Sequence, residues 1–119
     1  DLSRALLRVD QLRRQMEIFF DQYDLLLSPT MAVTAFPIGQ RPTVIGGKEV
    51  DPFWGYVPFT FPINMTGQTA SSVPCGFSSE SMPIGLHIVG PWGSEARVLQ
   101  ASAAFESARP WVQHHPPVS

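Results

Sequence analysis

Apolar side chains recur every three or four residues at the start of the chain: Leu2, Ala5, Leu6, Val9, Leu12, Met16, Phe19, Phe20 and Tyr23. That period puts them on one stripe of an α-helix running to about Gln22, with the arginines and Gln11, Gln15 and Gln22 mostly opposite. A lone helix buries such a stripe only against another surface, so a partner surface is implied. The next run, Asp24-Leu25-Leu26-Leu27-Ser28-Pro29-Thr30, is apolar without alternation and reads as a strand buried on both faces. Pro29 cannot donate to a ladder and should end it.

From Met31 to about Tyr56 the pattern fades, and Pro37, Gly39, Pro42, Gly46, Gly47 and Pro52 punctuate an irregular stretch. Loops of this length inside a compact domain are commonly functional or disordered. Gly46-Gly47 between Thr43-Val44-Ile45 and Lys48-Glu49-Val50 fits a small hairpin. Phe53, Trp54, Tyr56, Phe59 and Phe61 form an aromatic cluster in sequence, leading into a short helix that Gly67 should end. Residues 70–77 and 84–89 are strand-like and make an antiparallel hairpin, with Gly85 marking a bulge or a close backbone approach. A final helix starts at an N-cap Ser94 with Glu95 in its first turn. Its apolar face is Val98, Ala101, Phe105 and Ala108, flanked by Leu99 and Ser102, and Pro110 closes it. Residues 113–119 have no period and are expected to form a flexible tail. The fold class expected is α/β: a mixed sheet flanked by helices, with an antiparallel hairpin and N- and C-terminal helices.

Composition changes this picture in one respect. The chain of 119 residues is 44% hydrophobic but only 15% charged, against roughly 25% charged in soluble domains. A low charge share and a helix with an unpartnered stripe both point to a piece that buries itself against further chain. The first residue is Asp1, where helical periodicity begins at once, which fits a chain that starts inside a larger protein. Net charge is −2. The cluster Arg4, Arg8, Arg13 and Arg14 interleaves with the apolar stripe, so it reads as a solvated helix face and not as a nucleic-acid site. A single cysteine, Cys75, excludes an internal disulfide and a cysteine-rich metal site. No apolar run approaches the roughly 18 residues of a membrane span. A cytoplasmic protein without cofactor, metal, nucleic-acid or membrane partner is expected, with homo-oligomerisation left open.

Two segments carry a resemblance. Asn64-Met65-Thr66-Gly67-Gln68-Thr69-Ala70-Ser71-Ser72-Val73-Pro74-Cys75-Gly76-Phe77, followed by Met82-Pro83-Ile84-Gly85-Leu86-His87-Ile88-Val89-Gly90, resembles the late segment of amidase-signature enzymes. The family's usual form is close to N-x-T-G-x-P-A-x-S-V-P-x-G, then L-P-x-G-L-Q-I-V-G. Tyr23-Asp24-Leu25-Leu26-Leu27-Ser28-Pro29-Thr30 resembles its D-x-L-L-x-P-T segment, and the closing helix matches in position and character. Thr69 replaces the usual proline and His87 the common glutamine; neither touches catalytic chemistry.

The resemblance implies a mixed sheet wrapped by helices, and cleavage or transfer of amides by a serine nucleophile assisted by a second serine and a lysine. Those serines lie upstream in a glycine- and serine-rich stretch that this chain lacks, and its one lysine is Lys48. Residues 1–112 are therefore expected to be the C-terminal part of an amidase-signature domain, inactive alone, that contributes scaffold and part of the substrate pocket. The partners implied are a small amide substrate and the missing N-terminal part of the same protein.

Candidate residues follow from both arguments. By the resemblance the turn at Gly67 lies beside the substrate cleft, so Asn64, Thr66 and Gln68 are candidate polar contacts, although Asn64 also suits bracing of the turn. Trp54, Tyr56 and Phe59, with Phe53, are candidate apolar wall, as amide sites need one around a few polar groups; ordinary core packing suits each of them equally. Ser71 and Ser72 have no base near them in sequence, and an activated serine needs one. His87 should face away from Leu86 and Ile88 as a structural histidine. His114-His115 lacks carboxylate partners for a metal, and Cys75 reads as a small buried group. Two alternatives remain open: a fragment of the A subunit of a glutamine-dependent tRNA amidotransferase, and a non-catalytic α/β binding module.

Overall fold

Helix α1 (Leu2–Phe20) opens the chain in the computed structural model, which describes residues 1–115. Asp1 caps it, accepting from the Ser3 amide at 3.1 Å. None of its residues is buried. Val9, Leu12, Met16, Phe19 and Phe20 are half-covered, while Leu2, Leu6 and Ile18 stand exposed at 60% or more. The amphipathic period is real, but only the middle and end of the stripe meet anything in this chain.

Strand β1 (Leu26–Pro29) stops at the proline as expected. It does not sit inside a sheet, however. The order is β1-β5-β4, all antiparallel, with β4 (Thr69–Phe77) and β5 (Pro83–Gly90) forming the predicted hairpin and β1 on the outer edge of β5. Leu27 consequently stays 58% exposed. Its apolar run suits a strand buried on both faces, but its burial alternates, with Leu26 half-covered and Leu27 open.

Strands β2 (Val44–Ile45) and β3 (Lys48–Glu49) make the small hairpin over Gly46 and Gly47. Helix α2 (Phe61–Thr66) ends on Gly67, whose φ of +80° is the left-handed cap that glycine adopts without strain. The irregularity in the long hairpin lies on β4: Pro74 pairs with Gly85 and Gly76 with Ile84, so Cys75 is the extra residue. Gly85 itself marks a close approach, since a Cβ there would lie 2.7 Å from both Ser72 Oγ and Thr30 Oγ1.

Helix α3 (Glu95–Ala108) packs on β4 and β5. Val98 meets Val73 and Ile88 to form the core, with Leu25, Leu86, Ala101, Phe105 and Trp111 around it. Ala108 and Leu99 stay exposed, which narrows the expected face. Ser94 occupies the cap position, but its hydroxyl donates to Pro91 O at 2.6 Å and caps no helix amide. Of the expected tail, residues 113–115 are described: Gln113 donates to Pro110 O at 2.9 Å, and the His114 ring meets Phe77 edge-on. Residues 116–119 lie outside the described part.

The molecule is spread out for its length. Its radius of gyration is 16.5 Å, where a compact domain of this size has about 13.5 Å. Accessible surface is 8798 Å², roughly 2,400 Å² more than a folded monomer of this mass presents. Only Ile63, Val73, Ile88, Val89 and Val98 are buried hydrophobics among the described residues. One helix covers one sheet face, and much of the rest is uncovered.

Candidate functional site

Two grooves open at different places on the sheet. The first, of about 540 Å³, runs between α1 and the turns that lead into β4 and α3. Arg13, Glu17 and Asp21 line it from α1; Thr66 and Gln68 face them, and Trp92 forms the far side. Arg13 stands exposed, like Arg4, Arg8 and Arg14, but it also bonds within the chain. Its guanidinium donates from Nε to Thr66 O at 3.3 Å and from Nη2 to Met65 O at 3.4 Å, satisfying carbonyls that the end of α2 leaves open.

Thr66 is buried, and its hydroxyl donates to Pro62 O at 3.0 Å, one turn back along α2. The same hydroxyl lies against Gln68 Oε1 across Gly67. Asn64 points outward, and its backbone amide donates to Thr60 O at 3.1 Å as part of the helix. The structure thus brings Thr66 and Gln68 into one groove and leaves Asn64 out of it.

The second groove, of about 500 Å³, is lined by residues 31–36 with Pro29, Pro83, Ile84 and Gly85. No charged side chain takes part. Phe36 forms one wall, braced edge-on by Tyr56 at 5.2 Å between ring centroids. The Ala32 amide donates to Tyr56 O at 3.1 Å, which ties the groove to the aromatic segment.

The aromatics do not gather into one cluster. Asp51 Oδ1 accepts from the amides of Phe53 and Trp54 at 2.8 and 2.9 Å, starting a run of turns that sends successive rings in different directions. Phe53 lies beneath Arg41, Trp54 leans toward Phe61 at 6.2 Å, and Phe59 is 38% exposed. Tyr56 alone among Trp54, Tyr56 and Phe59 braces a groove wall.

The hydroxyls on the sheet have structural partners. Ser71 faces α3 at 2.8 Å from Ser102 Oγ; because Ser102 gives its one hydrogen to Val98 O, also at 2.8 Å, Ser71 is the donor. Ser72 faces the other way and pairs with Thr30 at 2.6 Å. His87, on that same face, is buried, with Nδ1 3.4 Å from Ser28 Oγ. Burial holds its pKa below the ordinary 6.5 by desolvating the charged form. Cys75 is half-buried at the bulge, its thiol 3.4 Å from Ile84 O. Lys48, the one lysine, stands exposed on β3. Arg13, Trp92 and the wall at residues 31–36 escaped sequence reasoning, the last because it lacks any period.

Comparison with known proteins places this arrangement. The family model described as Amidase matches residues 2–99. The chain is 37% identical over 112 residues to a Mycobacterium leprae protein that carries the name amidase AmiC, covering 94% of this chain and 24% of that protein. It is 40% identical over 107 residues to the A subunit of the Moorella thermoacetica Glutamyl-tRNA(Gln) amidotransferase, covering 88% of this chain and 20% of that one. Among solved structures, a bacterial aryl acylamidase of the amidase-signature enzymes superposes with a TM-score of 0.83 at 37% identity, over 93% of this chain and 23% of that structure. The A subunit of the Thermotoga maritima Glutamyl-tRNA(Gln) amidotransferase gives 0.76 at 32% identity, over 92% and 23%. The chain spans about a fifth to a quarter of the length of the relatives it matches.

Proposed function

The chain belongs to the Amidase family, and from that premise we propose that it is the C-terminal part of a serine amidohydrolase that cleaves carboxamide bonds. In this reading it supplies scaffold and part of the substrate wall, while a Ser-Ser-Lys triad stands elsewhere in the protein. The observation that carries the reading is the surface excess. Roughly 2,400 Å² is more than a standard protein–protein contact hides on both partners together. It lies on a chain whose α1 stripe is only partly covered and whose outer β1 edge is unpaired among the described residues.

The chemistry of the side chains supports the same division of labour. A serine nucleophile needs a base within hydrogen-bond reach. Ser71 is committed to Ser102, Ser72 to Thr30, and Lys48 stands on the separate β2–β3 hairpin. Thr66 and Gln68 supply polar groups to the first groove, and Tyr56 holds Phe36 in place in the second. Trp54, Phe59 and Asn64 face outward, where further chain would complete the pocket.

A second reading, part of the A subunit of a tRNA amidotransferase, draws on the 40% identity to the Moorella thermoacetica protein. The experiment is a chimera. This chain replaces the matching C-terminal quarter of the bacterial aryl acylamidase, and aryl-amide hydrolysis is measured. Retained turnover is expected. A folded chimera with no turnover contradicts the proposal, and glutamine-dependent transamidation without aryl-amide hydrolysis favours the second reading.

A further inference from the structure

We propose that the groove between α1 and Trp92 is the seat of a basic side chain, arginine or lysine, carried by the remainder of the longer protein. This rests on the proposed function and adds where that remainder docks and what chemistry it brings. Three observations carry it. First, α1 ends with the wrong charge for a free helix. Glu17 and Asp21 stand one turn apart at its carbonyl end, both facing the groove, and its last turn holds no basic residue. Like charges at that spacing repel, and the negative end of a helix favours cations. The ion pairs among the described residues join Asp10 to Arg14 and Asp24 to Arg97, so neither carboxylate has a cationic partner there. Arg13 lines the same groove, but it donates to the carbonyls of Met65 and Thr66. A cation from outside removes the repulsion.

Second, the walls suit a long basic side chain. Trp92 forms the side opposite the carboxylates and is 82% exposed. An indole face attracts a guanidinium or an ammonium, while Phe20 and Pro91 offer apolar surface to the alkyl stem.

Third, the same side of α1 is open beyond the groove. Leu2, Leu6, Arg13, Glu17 and Phe20 fall on one side of the helix by their spacing, and Leu2 and Leu6 are 75% and 60% exposed. Leu6 and Glu17 lie about 16 Å apart along the axis. A segment laid along α1 therefore covers the leucines at one end and seats its basic residue at the other. The relatives are long enough to supply it, since this chain spans only about a fifth to a quarter of them.

The test compares the 119-residue chain with the chimera described above. Glu17→Gln combined with Asp21→Asn should raise the urea midpoint of the isolated chain, by removing like charges from the negative helix end. The same pair should lower the midpoint of the chimera, where the docked cation loses its partners. A role confined to this chain shifts both midpoints the same way. Amide-resolved NMR of the isolated chain gives a second measurement, with N-acetyl-arginine amide and N-acetyl-glutamine amide as probes. The arginine probe should shift Gly67, Gln68 and the Trp92 indole N–H, and the glutamine probe should leave them in place. Trp92→Ala should weaken the arginine probe about threefold, the weight of one exposed cation–π contact. Midpoints that move together, an equal response to both probes, or no response to the arginine probe overturns the inference. A dimer of the isolated chain that the double variant dissolves puts a second copy in the groove and overturns it as well. An inactive chimera whose midpoint falls contradicts the functional reading alone; an active chimera whose midpoint does not fall contradicts this docking site alone.

Discussion

Arg13 closes the end of a helix that lies 53 residues away in sequence: its Nε donates to Thr66 O at 3.3 Å while the same guanidinium reaches Met65 O. This bond couples α1 to the turn that carries Gln68. Arg13→Gln should therefore lower stability by about 1 kcal/mol, below the usual weight of a charged hydrogen bond because the side chain is exposed. Arg4→Gln, at an exposed position without such partners, should change it by less than about 0.5 kcal/mol. Urea midpoints of the two variants check this.

Gly85 has no room for a methyl group. Gly85→Ala should cost about 1–3 kcal/mol, because Ser72 Oγ and Thr30 Oγ1 would both have to move. Adding Ser72→Ala should recover part of that loss by removing one of the two oxygens. Thermal melts of the single and double variants make the comparison.

His87 makes stability depend on pH. Its folded pKa lies below the ordinary 6.5 because burial disfavours the imidazolium. The unfolded chain then binds a proton more readily, so stability is full above pH 6.5 and falls as pH drops through 6.5 toward the folded value. Melting temperature should be lower at about pH 5.5 than at about pH 7.5, and His87→Gln should flatten the difference. A wild-type melt unchanged across that interval contradicts the assignment.

The exposed leucines should be silent in this chain and costly in a longer one. Leu6→Gln and Leu27→Gln should change the stability of the 119-residue chain by less than about 0.5 kcal/mol while reducing binding of a dye that reports apolar surface. Ile88→Ala, in the core beneath α3, should cost about 2–5 kcal/mol. Dye binding by the unmodified chain is expected from its surface excess.

Local rules make much of the fold legible in the residues themselves. Gly46-Gly47 and Gly67 act on their immediate neighbours, so the hairpin and the end of α2 can be placed from the order of residues alone. The β4–β5 hairpin and α3 follow from period and punctuation. What stays hidden in the sequence depends on groups distant along the chain. Arg13 is exposed as read, but its bonds stay hidden because its acceptors are carbonyls of α2, which carry no sequence signature. Leu25-Leu26-Leu27 reads as a strand buried on both faces, whereas Leu27 stands open on β1 at the sheet edge, a position that no pattern within the run reveals. The candidate site divides for the same reason: Thr66 and Gln68 adjoin one turn and stay together, while the rings at residues 53–61 are dispersed by the turns begun at Asp51.

Amide turnover by the purified 119-residue chain, assayed with p-nitroacetanilide, puts the division of labour to its hardest test. No release of p-nitroaniline above the buffer rate is predicted, because Ser71 and Ser72 pair with hydroxyls, and Ser28, 3.4 Å from His87 Nδ1, gives its hydrogen to Pro29 O. Measurable turnover that Ser71→Ala or Ser72→Ala abolishes would place the chemistry inside this chain and contradict the account.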